Sequence, residues 1–319
     1  MEKYLITGGA GFIGSNLAQE LVKRGHQVKV LDNFLTGKKE NIAFLMDKIE
    51  FIEGDIRDFR ICQKAVAGVD YVLHQAALPS VPRSIENPLL TNEININGTL
   101  NLLWASKEVG LKKFVFASSS SIYGDEPSLP KHEDVKPKPL SPYALTKLVG
   151  EFYCQIFSQI YGLPSISLRY FNVFGPRQDP FSQYAAVIPN FITRMLKGKE
   201  PIIYGDGQQS RDFTYVSNVV EANILAAHAP ENSFGVVNIA CGERITINSL
   251  AAQIKEILKK DISPSYQTPR PGDIKHSLAD ISRAKKVLKY SPQISLEEGL
   301  KMTIRWYEEK EHKWLNNKI

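Results

Sequence analysis

The chain has 319 residues, of which 43% are hydrophobic and 23% are charged, a balance typical of a folded protein rather than a disordered one. Its 39 basic and 34 acidic residues are scattered and give a formal net charge of +5, so we expect no nucleic-acid partner. No stretch reaches the roughly 18 apolar residues of a membrane span, and the first residues lack a signal region. We therefore expect a cytoplasmic protein without a membrane partner.

The cysteines are few and scattered. Cys62, Cys154 and Cys241 lie far apart and form no C-x-x-C pair. Such a set predicts buried, reduced thiols rather than a disulfide framework. The sequence predicts no metal site.

The first half of the chain alternates short apolar runs with helical patterns. The runs are rich in Val, Ile, Leu and Phe and are too short for helices, which predicts strands. Strand–helix alternation predicts an α/β fold with a doubly wound parallel sheet of the Rossmann type. The predicted strands cover 3–7, 27–31, 49–54, 69–74, 112–118 and 165–170, and the predicted helices cover 12–24, 58–67, 87–109 and 141–161.

After about residue 170 the alternation gives way to segments rich in Pro and Gly, followed by helical patterns at 246–259 and 295–312. This change predicts a smaller C-terminal domain with loops that face the sheet. A helix at 217–228 and a strand at 236–240 are predicted to rejoin the main sheet. The resulting division assigns 1–170 plus 213–240 to the main domain and 171–212 plus 241–319 to the smaller one.

A glycine-rich turn follows the first predicted strand. The segment GGAGFIG, residues 8–14, lies between a strand and an apolar-periodic helix, the context that marks a dinucleotide-binding turn. Gly8 would permit the tight turn, Gly11 the approach of a pyrophosphate to the backbone, and Gly14 close packing of helix on strand. The first helix amides would then face the phosphates.

Acidic residues end the next two strands. Asp32 follows the turn by about twenty residues, where a carboxylate can bind the ribose hydroxyls and repel a 2′-phosphate. Lys38 and Lys39 lie in a loop that we expect to face solvent, so NAD is predicted over NADP. Asp55 closes the third strand and is placed to contact the adenine, although a simple turn residue is the other interpretation.

A tyrosine and a lysine are the catalytic candidates. Tyr143 and Lys147 are four residues apart in a helical pattern, so both project from one face. Upstream, the predicted strand 112–118 runs into four serines, residues 118–121, at the edge of the sheet where ligands bind in such folds. A free tyrosine has a pKa of about 10, so its use as a base requires nearby positive charge, from Lys147 and a nicotinamide ring. A serine hydroxyl can share the substrate proton.

At these residues the chain resembles the extended short-chain dehydrogenase/reductase superfamily, and within it the UDP-hexose 4-epimerases, most of all the bacterial UDP-N-acetylglucosamine 4-epimerase branch. The resemblance implies that the main domain binds NAD and that the smaller domain binds a UDP-sugar. It covers nearly the whole chain through the motifs TGGAGFIG, HQAALPSVPRS, ASSSSIYG, SPYALTK, RYFNVFGPRQDP, YGDGQQSRDFTYV and PRPGDIKHS.

Residue by residue, the resemblance implies a catalytic set, a cofactor set and a sugar set. The catalytic set is Ser119, Tyr143 and Lys147. In the sugar set Tyr204 would stack on uracil, and Arg211 and Arg270 would bind the diphosphate. The cofactor set is Gly8, Gly11, Phe12, Ile13, Gly14, Asp32, Asn33, Asp55, Ile56, Gln75, Ala76, Ala77, Asn95, Tyr143, Lys147 and Phe171. The sugar set is Ser80, Arg83, Ser119, Ser120, Ser121, Tyr143, Asn172, Ala186, Val187, Tyr204, Arg211, Arg270, Asp273 and Ser277.

The implied reaction is hydride loss from sugar C4 to NAD⁺ as Tyr143 takes the hydroxyl proton, followed by return of the hydride to the other face of the 4-keto sugar. The implied substrates are UDP-N-acetylglucosamine and UDP-N-acetylgalactosamine, with UDP-glucose and UDP-galactose left open. In relatives confined to the last two, a tyrosine can hold the place of Ser277. Serine leaves room for a 2-acetamido group.

Other readings of the same motifs stay open. A UDP-uronic acid 4-epimerase would need a cationic or hydroxyl-rich cradle for the C6 carboxylate. The related 4,6-dehydratases and UDP-glucuronate decarboxylases carry carboxylates where this chain has Ser119, Ser120 and Ser121, so elimination lacks its acid and base. A regulatory protein that senses NAD on the same scaffold would be expected to lose the tyrosine or the lysine, and both are present.

The segments 87–109 and 141–161 are long and apolar. In relatives the matching helices pair across a two-fold axis into a four-helix bundle, so the resemblance implies a homodimer. Helices buried within the monomer are the other interpretation.

Overall fold

A seven-stranded sheet, parallel throughout, forms the centre of the fold. Numbered in chain order, its strands are β1 (Lys3–Thr7), β2 (Gln27–Asp32), β3 (Glu50–Glu53), β4 (Tyr71–His74), β5 (Lys113–Ser119), β6 (Ser165–Tyr170) and β11 (Gly235–Ile239). They lie in the order β3-β2-β1-β4-β5-β6-β11, which is the doubly wound Rossmann arrangement. The computed structural model describes residues 1–180, 186–230, 235–269 and 274–316, with side chains described as far as residue 310.

Helices cover both faces of the sheet, as parallel strands buried on both sides require. One face packs on α1 (Phe12–Lys23), α8 (Val216–Ala227) and α10 (Ser282–Leu288). The other face packs on α2 (Phe59–Val66), α5 (Gly98–Glu108) and α6 (Pro142–Tyr161). The predicted fold class is confirmed, and so are the helix and strand that return to the sheet, because β11 pairs in parallel with β6.

The helix predicted over 87–109 is interrupted. It consists of α4 (Pro88–Asn92), one turn of π-helix (Glu93–Asn97) and α5. Asn95 lies in the π turn and holds the loop after β4: its Oδ1 accepts from Leu78 N at 2.7 Å, and its Nδ2 donates to Thr146 Oγ1 at 3.0 Å. These contacts join residues that are far apart in the sequence, so the local hydrophobic pattern cannot predict them.

Helix α6 carries the predicted tyrosine and lysine, and its start is well defined. Ser141 Oγ accepts from Ala144 N at 3.1 Å, and Pro142 occupies the first helical position, where its missing amide proton costs nothing. The helix ends before Gly162, which adopts φ 67°. Tyr143 is therefore the second residue of the helix.

The C-terminal part has a core of its own beneath short strand pairs. Its longer elements are α7 (Val187–Leu196), α9 (Ile247–Leu258) and α11 (Leu296–Asn316). The sequence did not indicate α7, α10, α3 (Val81–Glu86) or the short strands. The strand pairs are β7 (Val173–Phe174) with β10 (Thr214–Tyr215), β9 (Ser210–Arg211) with β12 (Ile245–Thr246), and β8 (Ile202–Tyr204) with β13 (Ser265–Gln267). The division of the chain into two domains stays a prediction.

The cysteines are free thiols. Cys62 and Cys154 are buried as predicted, whereas Cys241 is half-buried because it lies in the loop after β11. Across the described ranges, no helix combines the length and the apolar character needed to cross a membrane.

Candidate active site

A cleft of about 670 Å³ runs along the carboxyl edge of the sheet. This volume is in the range of about 300–1,000 Å³ that small-molecule sites occupy. The cleft brings together most of the predicted cofactor set and part of the sugar set. The predicted residues that line it are Gly8, Gly11, Phe12, Ile13, Gly14, Asp32, Asn33, Asp55, Ile56, Gln75, Ala76, Ala77, Ser80, Arg83, Tyr143, Lys147 and Ala186.

The glycine turn has the geometry that a dinucleotide site needs. Gly8 adopts φ 67°, and a Cβ on Gly14 would lie 2.2 Å from Gly8 O. Helix α1 can therefore pack this closely on the turn only because residue 14 is glycine. Helix α1 begins after Gly11 without a side chain that caps its first amides. Those amides face the cleft edge as donors for an anion. This turn fits the diphosphate of a dinucleotide.

Asp32 is 7% exposed at the end of β2. Its Oδ2 accepts from Ala10 N at 2.9 Å and its Oδ1 from Phe34 N at 2.8 Å. Burial raises the pKa of this carboxyl, and the backbone hydrogen bonds oppose the rise. A carboxylate offers about four acceptor positions, so Asp32 retains capacity for two hydroxyls of a ribose.

Asp55 is held by its neighbours at the end of β3. Arg57 Nη2 lies 2.7 Å from Asp55 Oδ2, and Asn33 Nδ2 donates to the same oxygen at 2.8 Å. The hydrogen bonds from Arg57 lower the pKa of Asp55. Asn33 and Asp55 thus form one wall of the cleft, beyond Asp32.

Tyr143, Ser119 and Lys147 meet where β5 faces the start of α6. Lys147 is 4% exposed; its Nζ donates to Ala117 O at 2.8 Å and lies 5.9 Å from the centre of the Tyr143 ring. Burial raises the pKa of Tyr143, and a hydrogen bond with Ser119 opposes the rise. Burial lowers the pKa of Lys147 to about 8, so its ammonium is still mostly charged at neutral pH.

The serines at the end of β5 and in the turn that follows it make different hydrogen bonds. Ser119 Oγ accepts from Ser121 Oγ at 2.9 Å and from Ser121 N at 3.2 Å. Ser118 points away from them and donates to Glu151 Oε1 at 2.6 Å. Glu151 is also paired with Arg169 at 2.8 Å, so this buried carboxylate is occupied and is not available as an acid or base.

His74 lies under the glycine turn and is not a candidate base. Its ring nitrogens are 2.7 Å from Thr7 Oγ1 and 2.8 Å from Thr99 Oγ1. Burial, together with the charge of Lys147, lowers the pKa of His74 to about 3. The ring is therefore neutral at all ordinary pH values.

Some predicted residues lie elsewhere. Asn95 and Phe171 are buried behind the cleft, where Asn95 fixes the loop after β4 and Phe171 belongs to the sheet core. Val187 begins α7, Asn172 Nδ2 donates to Asp212 O at 2.9 Å, and Ser120 continues the turn after Ser119. Arg270 and Asp273 fall outside the described residues.

The remaining sugar residues lie on or beside the short strand pairs. Tyr204 ends β8, and Arg211 lies in β9 and donates to Ser210 O at 3.0 Å. Ser277 N donates to Ser210 O at 2.9 Å, so Ser277 and Arg211 are neighbours. Tyr204, Arg211 and Ser277 are not among the residues that line the cleft.

The sequence interpretation missed part of the cleft. Tyr170, Arg177, Gln178 and Asp179 line it, and so does Lys38, which we expected to face solvent. Lys39 faces solvent as expected, with its side chain 76% exposed, whereas the Lys38 side chain is 42% exposed and lies 3.1 Å from Asp179. The Pro- and Gly-rich segment FGPRQDP was the available signal, but nothing local in it shows which surface it meets.

Comparison with known proteins agrees with this geometry. The model of the NAD dependent epimerase/dehydratase family matches residues 4–240. The UDP-glucose 4-epimerase of Mycolicibacterium smegmatis is 36% identical over 96% of this chain and 98% of its own length.

Two solved structures are similar over almost their full length. One is the UDP-N-acetylglucosamine 4-epimerase of Methanobrevibacter ruminantium in complex with UDP-N-acetylmuramic acid, at 44% identity and TM-score 0.93, covering 97% of this chain and 99% of that one. The other is the UDP-glucuronic acid 4-epimerase of Bacillus cereus in complex with UDP-glucuronic acid and NAD, at 36% identity and TM-score 0.89, with the same coverage. The chain belongs to the NAD-dependent epimerase/dehydratase family, and its cofactor is NAD.

Proposed function

We propose that this chain interconverts UDP-N-acetylglucosamine and UDP-N-acetylgalactosamine. The coarser activity is that of its family: the chain is an isomerase, a UDP-sugar 4-epimerase that uses NAD. The observation that carries the proposal is that Tyr143 and Lys147 line the cofactor cleft and that Ser119 hydrogen-bonds to Tyr143. A base, a proton-sharing hydroxyl and a cation are what reversible oxidation of an alcohol requires.

Each residue has a defined task in this proposal. Tyr143 accepts the proton of the C4 hydroxyl and later returns it, and Ser119 bridges the two oxygens. Lys147 stabilises the phenolate, which burial otherwise disfavours. The nicotinamide of bound NAD supplies the acceptor and donor of hydride, and its positive charge adds to that of Lys147.

Elimination chemistry has less support. In the described ranges, the carboxylates that line the cleft are Asp32, Asp55 and Asp179. Backbone amides hold Asp32, Arg57 holds Asp55, and Lys38 contacts Asp179. The places where dehydratases carry an acid and a base are serines, so we propose that the ketone intermediate is reduced again rather than dehydrated.

The choice of the N-acetylated sugar rests on Ser277 and on the similarity to an N-acetylglucosamine epimerase. Ser277 is small and half-buried beside Arg211. A small residue here leaves room for a 2-acetamido group.

A panel of UDP-sugars tests the proposal. The protein as purified is incubated with UDP-N-acetylglucosamine, UDP-glucose and UDP-glucuronic acid, and the C4 epimers are separated. We expect the highest kcat/KM for the N-acetylated sugar. A higher value for either other sugar would overturn the substrate assignment, and loss of water or of carbon dioxide would overturn the epimerase itself.

A UDP-uronic acid 4-epimerase is the second candidate, and Arg83 is the observation that favours it. Arg83 lines the cleft, and among the described residues its guanidinium has no ion-pair partner. A cation in this position can bind the diphosphate or a C6 carboxylate. Arg83→Gln distinguishes the two, because loss of a diphosphate contact weakens all UDP-sugars alike, whereas loss of a carboxylate contact weakens only the uronic acid.

We also propose a homodimer through α6. Its outer face carries Leu145, Phe152, Ile156 and Ile160, each between 41% and 69% exposed. Contiguous apolar surface of this kind marks an interface. Sedimentation should give a dimer, and Phe152→Glu should give a monomer; a monomeric wild-type protein would refute the proposal.

A further inference from the structure

The segment 175–180, here called the strap, lines the cofactor cleft with Arg177, Gln178 and Asp179 and is held on two sides. On one side Asn16 Nδ2 of α1 donates to Pro176 O at 3.2 Å. On the other side Tyr307 Oη of α11 donates to Gln178 O at 2.5 Å. The strap therefore joins the first helix of the cofactor site to the last helix of the chain.

Arg177 anchors the strap on α1. Its Nη2 donates to Asn16 Oδ1 at 2.5 Å and to Gln19 Oε1 at 2.8 Å. The residue adopts φ 71°, a conformation that costs a side-chain-bearing residue about 1–2 kcal/mol and persists only where surrounding contacts enforce it. Its Nε is buried without a hydrogen-bond partner among the described residues, and the side chain lines the cleft. The strap thus brings a cation to the cofactor side of the cleft.

Lys38 and Asp179 form an ion pair between the strap and the loop that contacts the glycine turn. Lys38 Nζ lies 3.1 Å from Asp179 Oδ2, and their side chains are 42% and 37% exposed. The Lys38 backbone is fixed to the glycine turn, since its N donates to Ala10 O at 3.0 Å, and Asn41 Nδ2 donates to the same oxygen at 2.9 Å. This ion pair therefore links the glycine turn to the strap.

We propose that the strap closes over the diphosphate of NAD and that the Lys38–Asp179 pair is the latch that sets how long the cofactor stays bound. Both residues line the cleft together with Gly11 and Ile13, so a dinucleotide on the glycine turn lies beneath them. Its departure requires the strap to lift. An epimerase regenerates its dinucleotide in every cycle, so slow release does not limit turnover.

Release of NAD into cofactor-free buffer measures the latch. The loaded protein is diluted, and NAD in the filtrate is followed over time for Lys38→Gln, Asp179→Asn and their combination. A half-exposed pair typically contributes about 0.2–1 kcal/mol, which corresponds to about 1.5–5-fold faster release. The double variant should release no faster than the faster of the two single ones, because both remove the Lys38–Asp179 contact. Lys38→Asp with Asp179→Lys should restore slow release.

Lys39→Gln is the matched control. Lys39 is the next residue, is 76% exposed and lies 4.0 Å from Glu53, away from the strap, so its loss should leave the release rate unchanged. Salt gives an independent test, because it weakens the ion pair in the wild-type protein without any substitution that could affect folding. Release from the wild type should accelerate between 0.05 and 0.5 M NaCl by about the same factor as in the single variants, and release from Lys38→Gln should not.

Equal release rates for the wild type and Lys38→Gln would overturn the latch, and so would additive effects of the two single changes. The anchor is tested by Arg177→Gln, which should accelerate NAD release by about tenfold, the effect of roughly one charge-assisted hydrogen bond. If Arg177→Gln instead weakened UDP binding and left NAD release unchanged, the cation would belong to the sugar diphosphate. No sugar enters the release measurement, so its failure leaves the proposed substrate untouched.

Discussion

The cofactor side and the proposed sugar side of this site are held by different kinds of structure. Asp32 and the glycine turn lie on the carboxyl ends of strands in a seven-stranded sheet, and their geometry is fixed by backbone hydrogen bonds. Tyr204 and Arg211 lie on two-stranded pairs. In the proposed function the backbone sets how NAD is bound, whereas side chains on short, separately supported strands select the sugar. Sugar preference can therefore change without loss of the cofactor.

The largest expected effect separates chemistry from cofactor binding. Tyr143→Phe removes the ionisable oxygen and keeps the ring, so activity should fall by about 10²–10⁴-fold, the usual contribution of an acid–base group. The NAD content should be that of the wild type, because Phe preserves the packing against β5. Turnover and NAD released by heat are measured on the same sample. Near wild-type turnover would remove Tyr143 as the base.

The next effect should appear on the sugar side alone. Ser277→Tyr fills the space proposed for the 2-acetamido group, and overpacking typically costs about 1–3 kcal/mol, or about 5–150-fold in rate. The loss should fall on UDP-N-acetylglucosamine, with UDP-glucose little affected and NAD content unchanged. Ser277→Ala, which removes only the hydroxyl, is the control. Equal losses on both sugars would show that Ser277 is not the gate.

A smaller loss is expected at Ser119. The hydroxyl of Ser121 lies 2.9 Å from that of Ser119 and can take its place in the proton path. Ser119→Ala should therefore cost less than about 100-fold, the lower end of the range for acid–base groups. Adding Ser121→Ala should remove the substitute and deepen the loss. If Ser121→Ala has no effect in the Ser119→Ala background, Ser121 is not the substitute.

The last expected effect is a fall of kcat/KM at high pH. The pKa of Lys147 is lowered from its ordinary value of 10.5 to about 8. The side chain is therefore fully protonated well below pH 8 and loses its positive charge as the pH rises through that value. Since we propose that this charge supports a Tyr143 phenolate, kcat/KM should fall by up to about tenfold per pH unit above the midpoint. Lys147→Arg should remove this fall at a lower overall rate. A profile that is flat to pH 10 would contradict this role.

The same contrast explains what the sequence can predict. Strands β1 and β6 agree with their predicted ranges to the residue, because each is a short apolar run between polar turns. Asp32 and Tyr143 could be singled out because a strand end and a helical spacing place them. Lys38 could not be placed, since its partner Asp179 is far along the chain. The π turn at Glu93–Asn97 was missed for the same reason, as Asn95 serves the loop after β4.

The position at which α6 begins has an electrostatic consequence for Tyr143, the proposed base. Ser141 caps the helix and Tyr143 is its second residue, so the phenolic ring belongs to the first turn, where the aligned peptide dipoles leave a partial positive charge. A negative charge there is stabilised by about 0.3–1 kcal/mol, and by up to about 2 kcal/mol when it is partly buried. The same helix thus presents Lys147 one turn later and directs its own field toward the phenolate. Had α6 begun a turn earlier, the tyrosine would keep its lysine and lose much of that field.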